Sequence, residues 1–282
     1  MNQHKGFTLV ELMVALVLGL FLTAAALQLF ITGSLTFTNQ KNLSDVQDNA
    51  TFGLSLIAQQ LRRTNSGNTQ IIGGSGTLNG LVFSGASVSA TAPANFPVTA
   101  KDINTSSTVD GKSDQLVIQY TALQDNMRDC EGNLVDLTID PIVIERYFLR
   151  VDTLDSSNPL ALACAAFRSN DLSSPTKAGS IILNRVDDLY VLIGTSNSAG
   201  TWQYYNIAAY NALTAPKPVI RSVRLATLIR STDVDGVTKS IPHAANYSFL
   251  DQTVSVSNPN DGFVRRVFSA TVSFRNSLGD GV

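Results

Sequence analysis

The sequence predicts an α+β protein: one long N-terminal helix, membrane-embedded in its first half and amphipathic in its second, packed on an antiparallel β-sheet head. Three observations carry that prediction. Leu12–Ile31 is almost wholly apolar, with only Gly19, Thr23 and Gln28 as exceptions. Leu43, Val46, Ala50, Leu54, Ile57 and Leu61 then recur at helical steps of three and four. After Asp114 the chain becomes a series of short strand-like runs separated by turn residues.

Composition narrows the functional classes. The 282 residues carry 20 Lys+Arg against 22 Asp+Glu, a formal charge of −2. That balance gives no general electrostatic grip on nucleic acid. Charged residues make up 15% and hydrophobic residues 44%. Ser, Thr and Asn, at 28, 25 and 21 residues, must therefore supply much of the polar surface. Two histidines and two cysteines allow neither a His-based metal cage nor a four-cysteine zinc site. No cofactor and no metal is expected.

The first element is the apolar run. No charged residue lies between Leu12 and Gln40, and about 20 apolar residues suffice to cross a bilayer. Lys5, the only charged side chain ahead of the run besides Glu11, predicts a cytoplasmic N-terminus with the rest of the chain across the membrane. A plain anchor fits this, and so does a cleaved signal peptide, for which Ala24-Ala25-Ala26 offers a small-residue site. Glu11 points to a third arrangement. A carboxylate within an apolar helix costs several kcal/mol unless it is paired, roughly 3 on insertion scales. Nothing in the helix can pair with it. Cutting after Gly6 would put a free amine on Phe7, four residues upstream.

Lys5-Gly6-Phe7-Thr8-Leu9-Val10-Glu11-Leu12 resembles the class III signal of type IV pilins and type II secretion pseudopilins. The resemblance implies that a prepilin peptidase removes residues 1–6 and N-methylates Phe7. It also implies that Glu11 neutralises the N-terminal amine of a neighbouring subunit during assembly. The fold expected is then pilin-like, with 7–31 as membrane and fibre-core helix, 32–65 as the amphipathic half and 66–282 as a periplasmic head.

The second half of the helix should end near Thr64-Asn65-Ser66-Gly67, giving a length of about 87 Å at 1.5 Å per residue. Asp45 and Asp48 face away from the apolar stripe, and Gly33-Ser34 is a candidate weak point. Residues 67–114 read as loop, with one short strand at Leu81-Val82-Phe83. The strand candidates that follow are 115–121, 142–150, 160–168, 180–183, 189–194, 202–206, 219–230 and 263–275. Asn158-Pro159, Ser196-Asn197-Ser198, Asp235-Gly236 and Asn258-Pro259-Asn260 punctuate them.

This second half is similar in order and character to the PilW-type minor pilins. The similarity lies in Asp114-Gln115-Leu116-Val117, Asp129-Cys130-Glu131-Gly132, Leu162-Ala163-Cys164, and Arg265-Arg266-Val267-Phe268 with Arg275-Asn276. The J-type minor pseudopilin of type II secretion shares the layout and is the alternative within the family. A periplasmic binding or enzyme domain behind a conventional signal peptide is the alternative from another class. The resemblance implies a non-enzymatic subunit in a complex that primes the fibre or caps its tip, supporting motility, adhesion or DNA uptake. Its expected partners are other minor and major pilins, prepilin peptidase, the inner-membrane assembly machinery and a tip adhesin where one is carried. Its expected location is the inner membrane and then the pilus.

Cys130 and Cys164, if exported, face an oxidising compartment and should pair. The closed loop would stabilise the head by about 4 kcal/mol in the chain-entropy account. Two unpaired thiols are the alternative. Other candidates read better as ordinary structure. Asp233-Val234-Asp235-Gly236 opens like a calcium loop but lacks the later ligands, so a hairpin turn is expected. Asp251, Asn260 and Asp261 offer oxygens without a demanding spacing. His4 falls in the leader, leaving His243 with no triad around it. Gly73-Gly74-Ser75-Gly76 lacks the lysine of a phosphate loop. Arg221, Arg224, Arg230, Arg265 and Arg266 are expected on solvated sheet faces, and Trp202-Gln203-Tyr204-Tyr205 in the core or at a sheet edge.

Overall fold

The computed structural model describes residues 6, 8–68, 71–72, 79–89, 92–105, 108–110, 112–197, 200–232 and 244–277. Helix α1 runs unbroken over Leu9–Leu61. Its first half touches no other part of the chain among the described residues, and every side chain from Leu9 to Ile31 is exposed. The run at Gly33-Ser34 stays helical. The hydroxyls of Thr32, Thr36 and Thr38 donate to the carbonyls of Gln28, Thr32 and Ser34 at 2.9–3.0 Å, so these polar side chains are satisfied by the helix itself.

The second half buries Asn42, Val46, Ala50, Gly53, Leu54, Ile57, Gln60 and Leu61. Asp45 and Asp48 point outward, as the pattern requires. Leu43 does not join the stripe: it is 38% exposed, and Asn42 takes the inward place. Burying a side chain such as Ile57 contributes roughly 1.5–3 kcal/mol. The helix stops three residues earlier than expected, and after a short turn Asn65, in a left-handed conformation (φ 64), redirects the chain. Asn65 then locks that end. Its N–H donates to the Gln119 carbonyl at 3.0 Å and its side-chain amide to the Asn276 carbonyl at 2.7 Å.

Eleven strands form among the described residues. The first sheet is an antiparallel meander of β1 (Ala100–Thr105), β2 (Lys112–Thr121), β3 (Ile142–Val151), β4 (Leu160–Arg168) and β5 (Ser180–Leu183). The second contains β6 (Val186–Ser196), β7 (Trp202–Asn206), β8 (Val219–Arg230) and β11 (Arg265–Ser273), in the order β11-β8-β6-β7. A short helix α2 (Ile207–Asn211) follows β7, and β9 (Asn246–Phe249) pairs with β10 (Gln252–Ser255) as a separate hairpin. Helix α1 lies against β5, β8 and β11. Its stripe meets Leu116, Ile118, Tyr147, Leu183, Leu189 and Val191 in one core between the two sheets.

The outer faces are also covered, which is why β2, β4 and β6 are buried along nearly their whole length. Val82, Val88 and Phe96 pack on Val117, Ile144 and Phe167 of the first sheet. Phe249, Val254 and Val256 pack on Tyr190, Leu192 and Leu228 of the second. Residues expected only as loop thus do core work. The strand expected at Leu81-Val82-Phe83 is a single bridge from Leu81 to Ile118, and β1, β9, β10 and α2 were not expected.

Candidate functional site

The N-terminal site is built by one turn of helix. Thr8 is extended (φ −80, ψ 151), and its hydroxyl accepts the Glu11 N–H at 3.3 Å. Thr8 therefore caps α1 and Glu11 stands in the first turn, the order of residues in a capping box. The sequence carries this signal as Thr8-Leu9-Val10-Glu11, and the reading of Glu11 as a charge without a partner passed over it. A carboxylate there is also favoured by the positive end of the helix dipole. Glu11 is exposed and forms no ion pair among the described residues. Gly6 is exposed too, with open space where a side chain would begin. Lys5 and Phe7 lie outside the described residues, as does His4.

Beyond Glu11 the helix presents Leu12, Met13, Leu16, Leu20, Phe21 and their neighbours outward on all sides. It is long and apolar enough to cross a membrane. A surface of this kind cannot remain in water and requires either lipid or other helices.

In the head, Cys130 and Cys164 form a disulfide, with Cα atoms 6.2 Å apart. The loop around Cys130 is held by its own acids. Asp129 accepts the N–H groups of Glu131 and Asn133 at 2.9 Å and pairs with Arg168 at 2.7 Å. Gly132 closes the turn at φ 86. Glu131 accepts the Ala166 N–H at 2.9 Å and Lys177 donates to the Ala166 carbonyl at 3.1 Å, so two side chains satisfy the edge of β4 past the end of β5. Glu145, fully buried, accepts the Tyr120 hydroxyl and the Cys130 N–H at 2.9 Å and the Tyr147 hydroxyl at 2.6 Å. Burial raises its proton affinity against the pull of these donors.

The remaining motif residues join elements. Asp114 on β2 accepts the N–H of Val191 on β6 at 2.9 Å and that of Asp102 at 3.2 Å, bridging the two sheets. Burial pushes its pKa up to about 7. Gln115 accepts the Arg146 guanidinium at 2.6 Å and donates to the Val98 carbonyl at 2.7 Å. Asn276 receives Asn65 at the helix end.

Several expectations are corrected. Arg265 is not on a solvated face: it is buried, bonded to Asp187 at 2.8 Å and paired with Asp261. Arg230 is buried beside the same Asp187 at 3.5 Å, with Phe263 under its guanidinium. Arg221 is held by Ser196 and Ser277 at 3.0 and 2.9 Å. Asp261 is accordingly committed to Arg265 rather than offered to a cation. The aromatic run on edge strand β7 divides between its faces: Tyr205 packs toward Tyr210, while Trp202 and Tyr204 are exposed. Asp233-Val234-Asp235-Gly236, His243 and Gly73-Gly74-Ser75-Gly76 lie outside the described residues.

Two family models match the chain. Residues 1–27 match the prokaryotic N-terminal methylation motif, and residues 147–276 match the type IV pilus-assembly protein W family. No curated protein matches the chain significantly. Among solved structures, a type IV-like pilin from Thermus thermophilus aligns at 16% identity and a TM-score of 0.43, over 82% of this chain and 97% of its own. The first model falls on the capped helix start and the apolar run, and the second on the strands from β3 to the Asn276 contact. The chain is thus similar to the PilW-type minor pilins over the second half of its head and carries a prepilin-type methylation motif at its start, and the proteins of that family are structural, non-enzymatic subunits of type IV pilus assembly.

Proposed function

We propose that this chain is an inner-membrane prepilin, cleaved between Gly6 and Phe7 and methylated on Phe7, which joins other minor pilins to prime the fibre or form its tip. Lys5 holds the leader on the cytoplasmic side and the head stands in the periplasm. The observation that carries this reading is the contrast within α1: an apolar, partnerless half with a single acid in its first turn, continuous with a half that the head covers. In a bilayer the apolar half is stable alone. In a fibre it is stable only among like helices, and Glu11 then meets the amine of a neighbouring subunit's first residue. A buried charge of this kind favours docking because it is costly until paired. The partners are other minor and major pilins, prepilin peptidase and the inner-membrane machinery, with a tip adhesin where one is carried. Nucleic acid is not among them, since Arg221, Arg230 and Arg265 are engaged within the head.

The test combines the mature N-terminus with a Glu11→Ala variant. Mass spectrometry of the membrane-extracted protein should find N-methylated Phe7. A mature chain beginning at Leu27 would instead show an ordinary signal peptide. Glu11→Ala should be processed normally yet fail to restore piliation in a strain lacking the wild-type chain. Normal piliation would remove Glu11 from assembly.

A further inference from the structure

Glu145 is a fully buried acid that follows the apolar run Ile142-Val143-Ile144 in β3, and no ion pair reaches it among the described residues. Such a group costs several kcal/mol, on the order of 3, unless something uses its charge. A glutamine carbonyl would accept the Tyr120 hydroxyl and the Cys130 N–H, and its amide would donate to the Tyr147 hydroxyl, so hydrogen bonding alone does not require an acid here. The sulfurs of Cys130 and Cys164 and a carboxylate oxygen of Glu145 lie within 4.8 Å of one another. Cys164, in the middle of β4, is fully buried, whereas Cys130 sits half-buried in its loop.

We propose that Glu145 is the general base that closes the Cys130–Cys164 disulfide in the folding head. Cys130 is the thiol an external disulfide oxidant can reach. Its thiolate attacks that disulfide, one thiolate of the oxidant leaves, and a mixed disulfide remains on Cys130. Cys164 must then act as nucleophile, but burial raises a thiol's pKa and only the thiolate attacks. Glu145 takes the proton from the Cys164 thiol. The Cys164 thiolate attacks the Cys130 sulfur, the mixed disulfide breaks, and the second thiol of the oxidant departs with a proton. Two protein thiols and one disulfide thus become one protein disulfide and two thiols.

The groups around Glu145 suit that role. The Tyr120 and Tyr147 hydroxyls orient the carboxylate, and burial raises the proton affinity of both tyrosines, keeping them donors. Asp129 adds negative charge from the Cys130 loop and raises the proton affinity of Glu145 further, although Arg168 partly offsets it. Arg63, at the end of α1, faces the two tyrosines and opposes the rise in their proton affinity. A carboxylate with raised proton affinity is the better matched to a thiol.

The test reoxidises the reduced full-length chain in detergent with oxidised glutathione, following thiol loss at about pH 6 to 8, where a thiol is mostly protonated. Glu145→Gln should slow closure of the folded protein by about a hundredfold, the low side of what general-base catalysis supplies. It should also make the rate rise more steeply with pH, while leaving the rate in concentrated guanidinium chloride unchanged. Equal rates for the two folded proteins, or equal slowing with and without denaturant, would overturn the proposal. Tyr147→Phe keeps the acid and removes one donor, so it should move the pH profile upward even if Glu145→Gln folds poorly when reduced. An unmoved profile would equally count against Glu145 as the base.

Discussion

The two halves of α1 have the same backbone and opposite surroundings. From Leu9 to Ile31 every side chain is exposed, whereas Ile57, about one turn before α1 ends at Leu61, is 1% exposed. Helical propensity cannot account for that difference. In the first half the apolar residues lie all round the helix, so no single face selects a partner, and lipid or a ring of like helices serves equally. In the second half they form one stripe, and that stripe selects the sheet core. The lesson is that one helix can carry two independent contracts, one with the head and one with a non-aqueous environment, divided near Asn42.

The sharpest way to break this comparison is to make the same kind of cut in each half. Ile57→Ala should lower the head's stability by about 2–5 kcal/mol, through lost transfer free energy and a residual cavity. Leu16→Ala should leave it within roughly 0.5 kcal/mol, since Leu16 is exposed and no described head residue covers it. Urea unfolding of the full chain in detergent, followed by tryptophan fluorescence, reads both. Equal effects would mean that the halves are energetically one unit.

A second contrast is in pH. The first half of α1 has Glu11 as its single charged side chain, while the head buries Asp114 between its sheets. The folded pKa of Asp114, about 7, lies above its ordinary value of 3.8, so the folded chain binds a proton more tightly than the unfolded one. Its stabilising contribution is therefore complete below about pH 4 and is lost as the pH rises through 7. Between pH 7 and 5 the head should gain on the order of 2 kcal/mol from this group, before other carboxylates are counted. Asp114→Asn should flatten that part of the stability profile. An unchanged slope would show that Asp114 stays ionised in the fold.

Much of this was legible in the sequence. The bounds of β4, β5, β7 and β8 coincide with the expected segments, because turn residues flank apolar runs there. The hairpin β9–β10 escaped notice because its turn runs through Leu250 at φ 62, where Asn or Gly would have marked it. Strand β1 reads Ala-Lys-Asp-Ile-Asn-Thr, too polar to signal a strand, and is held by its pairing with β2. Leu43 was misplaced because periodicity fixes a face but not where the head stops covering it. Glu145 could have been flagged: an acid following Ile142-Val143-Ile144 within a strand is the pattern of a buried charge. The burial of Arg230 and Arg265 could not have been read locally, since the acid they share, Asp187, comes from β6, although Asp261 stands only four residues before Arg265.

The smallest expected effect tests whether the two halves communicate through the backbone. Thr8 satisfies one amide at the start of α1, and removing such a cap costs about 1 kcal/mol of local helix stability. Thr8→Ala should therefore speed hydrogen exchange at Glu11 by about fivefold, the factor that 1 kcal/mol represents at room temperature. Helix opening at an end is a local event, and the 30 or so residues between Thr8 and Asn42 give it no packed route to the head. The urea midpoint of the head should accordingly not move. If it falls together with the faster exchange, α1 transmits strain along its length, and the division near Asn42 marks only where side chains are covered. If exchange alone changes, the helix start can be altered for assembly, by capping, cleavage or methylation, without cost to the head it carries.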